Sequence, residues 1–215
     1  MNSVQIRTEP NHSDQIRSDP NESDPNESDQ TRLDPTEPDR REPLVMGIDP
    51  SSVVTGFAFM TLKGRPRLVH AGTLKPPVTA CVSDRIRYIA QDVERLLATY
   101  NPWRTVIEMP SGKVHKTRHT GGGAGLSVYG WVCGTLWQVV RHHYKPLFDV
   151  SFGMSHPTEL EWCGKTSKQM RAVVAKQTHP LYAESYAGVD NGYNIADAIG
   201  LCEWWIAEEQ MRLAR

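Results

Sequence analysis

LVMGIDPSSVVTGFAFMTL, residues 44–62, decides the fold class. An apolar run ends at Ile48, Asp49-Pro50-Ser51-Ser52 supplies a turn-forming cluster, and a β-branched and aromatic run resumes at Val53. A third β-rich run, RLVHAGTL (residues 67–74), follows the turn former KGRP (63–66), so two successive hairpins are the simplest reading. Downstream, Ser83 is placed to cap a helix. Its apolar positions Ile86, Ile89, Ala90, Val93, Leu96 and Leu97 recur at three and four, and Asn101-Pro102 ends it. TVIEMP (105–110) reads as a short buried strand, followed by a polar, glycine-rich and basic loop through Gly123. A long helix over 126–143, a fifth strand over 147–152 and two helices over 167–178 and 195–211 complete the pattern. Three antiparallel-type strands, then helix, strand, helix, strand and helices, describe an α/β fold: a mixed five-stranded sheet with helices on both faces.

Residues 1–43 have a different texture. QIRTEPNHSD (5–14), QIRSDPNESD (15–24) and QTRLDPTEPD (30–39) form a decapeptide repeat, with the half-unit PNESD inserted at 25–29. The recurring prolines prevent a continuous helix, and only Ile6, Ile16 and Leu33 recur as large apolar groups, too few to offset the entropy of ordering. The expectation is a disordered acidic tail over 1–43 and one folded domain over 44–215. This tail reads as a solvated tandem expansion, with an acidic arm that competes with nucleic acid as the alternative. It holds eleven acidic and five basic side chains against chain totals of 25 and 24, so the domain is left with fourteen acidic and nineteen basic, a net +5 that the overall −1 conceals. Such a surface is compatible with a polyanionic partner. No apolar run approaches the roughly 18 residues of a membrane span, and no secretory leader opens the chain, so a soluble, cytoplasmic protein is expected. Cys81, Cys133, Cys163 and Cys202 lack the paired spacing of a zinc site or redox dithiol and read as free thiols.

Three carboxylates stand at element ends. Asp49 closes the first strand, Glu108 closes the strand Val106-Ile107, and Asp197 sits in the first turns of an apolar helix among the small residues Ala196, Ala198 and Gly200. Singly, each has a structural reading as a turn former or a partner of the helix dipole. Brought together without a matching cluster of buried cations they repel one another, and a bound cation is the usual remedy. All-oxygen donors favour Mg²⁺ or Mn²⁺, and two such ions about 4 Å apart suit hydrolysis of a phosphodiester.

Gly47-Ile48-Asp49-Pro50-Ser51 with Thr55-Gly56-Phe57-Ala58, then Ile107-Glu108, then Ala196-Asp197-Ala198-Ile199, resemble in order the acidic motifs of RuvC-type Holliday-junction resolvases. The resemblance runs from about residue 44 to 205 and implies an RNase H-like fold, a homodimer with two active sites, and nicking of DNA four-way junctions. It also implies two Mg²⁺ ions, Mn²⁺ substituting, held by Asp49, Glu108 and Asp197, with 5′-phosphate and 3′-hydroxyl products. The family's fourth ligand falls at Asn194, whose amide oxygen can bind a metal but brings no charge, so either one metal site is weaker or Asp190 substitutes. Lys113, Lys116 and Arg118 of the glycine-rich loop, and Lys165, Lys168 and Arg171 at the start of a helix, are the expected phosphate contacts, with Lys168 and Arg171 aligned on one face at i, i+3. Two rivals stay open: a junction-binding protein that has lost cleavage through Asn194, and an actin-like ATPase or sugar kinase, which the 172 residues beyond the tail are too few to build.

Overall fold

The computed structural model describes residues 42–110, 122–144, 153–163 and 167–215, with side chains in the second helix from residue 125 onward. Lys113, Lys116, Arg118, Lys165, the expected strand at 147–152 and nearly all of the repeat tail lie outside the described residues.

The opening stretch forms the expected hairpin. Strands β1 (Leu44–Asp49) and β2 (Thr55–Thr61) pair antiparallel, from Leu44 with Thr61 to Asp49 with Gly56. Strand β3 (Leu68–Leu74) adds antiparallel to β2, with a register shift at Phe59/Met60. Pro43 extends this hairpin, because its carbonyl accepts from Leu62 N at 2.9 Å. Helix α1 (Val82–Tyr100) buries Ile86, Ile89, Val93 and Leu97, the stripe read from the sequence. It begins earlier than expected: Arg85 N already donates to Cys81 O, so Cys81 occupies the N-cap position and Ser83 lies inside the first turn. Asn101 ends the helix in the left-handed region (φ 41°), where asparagine is tolerated.

Strand β4 (Arg104–Ile107) returns parallel to β1, and α2 (Gly122–His143) follows. The fifth strand is seen at Met154–Ser155 (β5), parallel to β4, giving the sheet order β3-β2-β1-β4-β5. Then come α3 (Glu159–Trp162), α4 (Lys168–Thr178), α5 (Pro180–Ser185) and α6 (Asn194–Leu213). The sequence pattern gave no separate signal for α5, whereas Thr158 and Glu161 form a capping box that marks the start of α3.

Strand alternation divides the core in two. Met46, Ile48, Phe57, Phe59 and Ile107 pack with α1 and α2, while Val45, Ala58, Met60 and Val106 pack with α6 and its neighbours. Helices therefore cover both faces of a mixed five-stranded sheet, as the sequence indicated. Among the described residues no helix is long and apolar enough to cross a membrane.

Candidate active site

Parity along the strands brings the first two acids together. Val45, Gly47 and Asp49 share the α6 face of β1, and Val106 and Glu108 share the same face of β4. Ile48 and Ile107 are register partners, and Glu108 N donates to Ile48 O at 3.2 Å, so the two carboxylates leave adjacent parallel strands at the same end. A compact turn fixes the exit from β1: Ser51 N donates to Thr55 Oγ1 at 3.1 Å, and Thr55 Oγ1 donates to Ser51 O at 2.7 Å.

The third acid arrives by close approach of α6. A Cβ at Gly47 would lie 2.1 Å from Ala198 O, and one at Gly56 2.1 Å from Asn194 O. These two glycines let the first turns of α6 rest directly on the backbone of β1 and β2. Asp197 is consequently fully buried, and Asp49 and Glu108 are nearly so. Asn194 is one turn before Asp197 and so lies on the same side of the helix.

Among the described residues two cations, Lys168 and Arg171, accompany these acids. Lys168 and Arg171 do share a face of α4, but that face looks onto the carboxylates. Lys168 Nζ stands 3.3 Å from Asp49 Oδ2 and 2.7 Å from Asp197 Oδ2, the second contact being an ion pair outside hydrogen-bond angles. Arg171 Nε donates to Asp197 Oδ1 at 2.6 Å, with its guanidinium 4.8 Å from the Trp162 ring centroid. Ser167, the N-cap of α4, accepts from Met170 N and sets where this face begins.

Asp190 is likewise placed elsewhere. Its Oδ1 accepts from Ile195 N at 3.2 Å, and its Oδ2 from Ala196 N and the Tyr182 hydroxyl, both at 3.0 Å. The formal N-cap, Tyr193, is left-handed (φ 58°) and makes no side-chain cap bond, so Asp190 satisfies the second and third N–H groups of α6 from upstream. Asp190→Ala is expected to cost about 2 kcal/mol or more of stability, whereas Asp190→Asn, which keeps an acceptor oxygen, should retain cleavage. Cleavage lost in a folded Asp190→Asn protein would restore that residue as a ligand.

Electrostatics mark the site as one short of positive charge. Burial, then Asp197, push the Asp49 carboxyl up to about 6 against the pull of Lys168. Burial, then Asp49 and Glu159, push Glu108 up to about 8. Burial disfavours the Lys168 charge, but Asp49 and Asp197 outweigh it and hold the ammonium above its ordinary range. Glu159, in the first turn of α3, is a neighbour the sequence reading missed. It arrives because Met109 bridges Thr158 beside the capping box. Tyr129 of α2 was also missed: burial, then Glu108, raise its hydroxyl far above the ordinary range.

Hard oxygen donors, buried and mutually repelling, fit a divalent cation. Among the described residues no three Asp, Glu, His or Cys side chains converge on one point as they stand. The ammonium of Lys168 lies between two of them.

Residues 45–115 match the family model "Crossover junction endodeoxyribonuclease RuvC", the stretch that holds Asp49 and Glu108. This stretch resembles RuvC. RuvC of Neisseria meningitidis serogroup C is 37% identical over 65 residues, which are 30% of this chain and 36% of that protein. RuvC of Prosthecochloris aestuarii is 33% identical over 66 residues, 30% and 35% of the two chains. The match thus spans about a third of the length of these relatives. The fold likeness reaches further. Thermus thermophilus RuvC superposes with a TM-score of 0.56 at 16% identity, covering 78% of this chain and 96% of that one. The yeast mitochondrial Holliday junction resolvase Ydc2 gives 0.53 at 10% identity, covering 77% and 79%. The chain therefore has the RNase H-like fold.

Proposed function

We propose that this chain is a divalent-metal-dependent, structure-selective DNA endonuclease that cuts four-way junctions and leaves 5′-phosphate and 3′-hydroxyl ends. The observation that carries this reading is that Asp49, Glu108 and Asp197 stand at neighbouring ends of β1, β4 and α6, near enough to perturb one another's charge. A T. thermophilus RuvC in complex with Holliday junction substrate has the same fold, with a TM-score of 0.52, and supports DNA as the partner. Homodimer formation is part of the proposal, supported by Leu126 and Trp131, which α2 leaves exposed.

Asp49, Glu108 and Asp197 would hold the ion, Mg²⁺ or Mn²⁺, through their carboxylate oxygens. When bound, the ion lowers the pKa of water and offsets charge on the phosphodiester. Glu108, held up near 8 in the metal-free protein, would give up its proton on binding the ion. Arg171 anchors Asp197 against Trp162, so the acid cannot turn away from the site. Lys168, about half exposed, has the freedom to leave the acids and meet a phosphate oxygen. The basic loop residues Lys113, Lys116 and Arg118, with Lys165, complete the proposed contacts to DNA.

The test is nicking of a labelled four-way junction, linear duplex and splayed DNA of one sequence, with Mg²⁺ and with EDTA. Symmetric, Mg²⁺-dependent cuts confined to the junction are expected. Junction binding without product in Mg²⁺ or Mn²⁺ would replace this reading with that of a non-catalytic junction binder.

A further inference from the structure

Of the two cations at the acidic site, one is fixed and one is free to move. Arg171 is buried, and its guanidinium lies on Trp162 while its Nε holds Asp197 Oδ1. A Cβ at Gly200 would lie 2.9 Å from the Trp162 ring and 3.6 Å from Arg171 Cδ, so α6 closes the other side of this stack. An arginine does not lose its proton in a protein, and this one has no room to leave. Lys168 is different: its side chain is 47% exposed and bridges the remaining oxygens, Asp49 Oδ2 and Asp197 Oδ2.

A pair of ions about 4 Å apart brings four positive charges into one site, which the surrounding acids must balance. In Asp197, Oδ1 is already engaged by the Arg171 guanidinium, while Oδ2 accepts no hydrogen bond and is the oxygen left most available to an ion. No acid makes up the loss from the same helix: Asn194 is neutral and both oxygens of Asp190 cap α6. The permanent guanidinium offsets one carboxylate charge, so the acids need less added positive charge than they would without it.

We infer that Arg171 is a positioning residue that stands permanently in place of a second metal ion, so that the site takes one divalent cation, which displaces the ammonium of Lys168. This rests on the nuclease reading and departs from the two ions that the family resemblance implies. Arg171 acts through Asp197: it selects the oxygen offered to the ion and supplies the positive charge that another ion would bring.

Counting bound Mn²⁺ tests it without reference to cleavage. The full-length protein, alone and on a four-way junction, is titrated with Mn²⁺ and free ion is followed by electron paramagnetic resonance, with junction alone as the blank. One ion per chain is expected for the wild type and for Arg171→Lys, and two for Arg171→Met. Lys168→Met should keep one ion and bind it about tenfold more tightly, since a competing charge some 3 Å away is gone. Two ions in the wild type overturn the inference and leave the nuclease reading intact, whereas no ion at all removes the metal reading beneath both. If Arg171→Met does not fold, the wild-type count and the Lys168→Met affinity still decide. A count unchanged at one in a folded Arg171→Met protein also overturns it.

Discussion

Glu108→Gln is expected to lower the rate of junction cleavage by about 10³-fold, equivalent to about 4 kcal/mol of transition-state stabilisation, and to make the metal-free protein more stable at pH 8. The two effects have one cause, the confinement of repelling acids at the ends of β1 and β4. Burial, then Asp49, then Glu159, hold the Glu108 carboxyl near 8 instead of 4.5, and burial holds Asp49 near 6 instead of 3.8. Between the unfolded and folded values the folded chain binds more protons than the unfolded one, so stability falls as pH rises. For Asp49 the fall runs from about pH 4 to 6, and for Glu108 from about 4.5 to 8. Glutamine keeps the shape and loses the charge. Relative to wild type, the variant should therefore melt on the order of 5 °C higher at pH 8 in EDTA and nearly equally at pH 5. Mg²⁺ should stabilise the wild type more at pH 8 than at pH 5, because it binds the ionised acids of the folded state. Paired melting curves at the two pH values settle the sign: a Glu108→Gln protein that melts lower at pH 8 would show that the carboxylate is satisfied within the protein.

Gly47→Ala should be among the most damaging single changes in the domain. The added methyl would sit 2.1 Å from Ala198 O and 2.9 Å from Cys202 Sγ, between the central strand and α6. The first is helix backbone, and Cys202 is fully buried. Relief requires lifting the helix from the sheet, at about 3 kcal/mol or more, which moves Asp197 away from Asp49 as well. Gly56→Ala meets Asn194 O in the same way. Gly188→Ala is the control: nothing lies within 4 Å of the added carbon, and a change within about 0.5 kcal/mol is expected. Chemical denaturation of the three variants compares them directly, and a Gly47→Ala protein as stable as the Gly188→Ala control would show that α6 does not rest on β1 at this point.

Much of the candidate site is legible in the sequence. Asp49 and Glu108 each follow an apolar run and precede a proline-containing turn, and the two-residue period of a strand sends each to the same side as its second-preceding neighbour, Gly47 or Val106. The small residues around Asp197 signalled close packing of its helix, and Gly47 and Gly56 proved to be the places that receive it. Lys168 and Arg171 were visible as an aligned pair, yet i, i+3 spacing states only that two residues share a helix face. Which way that face looks depends on how α4 docks, and it docks with both cations on the acids. Asp190, one of two alternatives for a fourth ligand, takes its place for a related reason: the left-handed Tyr193 turns the chain and aims the carboxylate at the first free N–H groups of α6.

The sequence by itself determined the mixed sheet, the helices on both its faces and the three acids at element ends, because strand alternation, helical periodicity and turn chemistry are local and repeat every few residues. Only the tertiary structure decided that a fixed guanidinium and a movable ammonium face those acids, that Asp190 is a cap, and that Glu159 and Tyr129 border the site. Burial and charge at the site depend on side chains brought together from strands and helices far apart in the chain, and no pattern within one element specifies the neighbour it will meet.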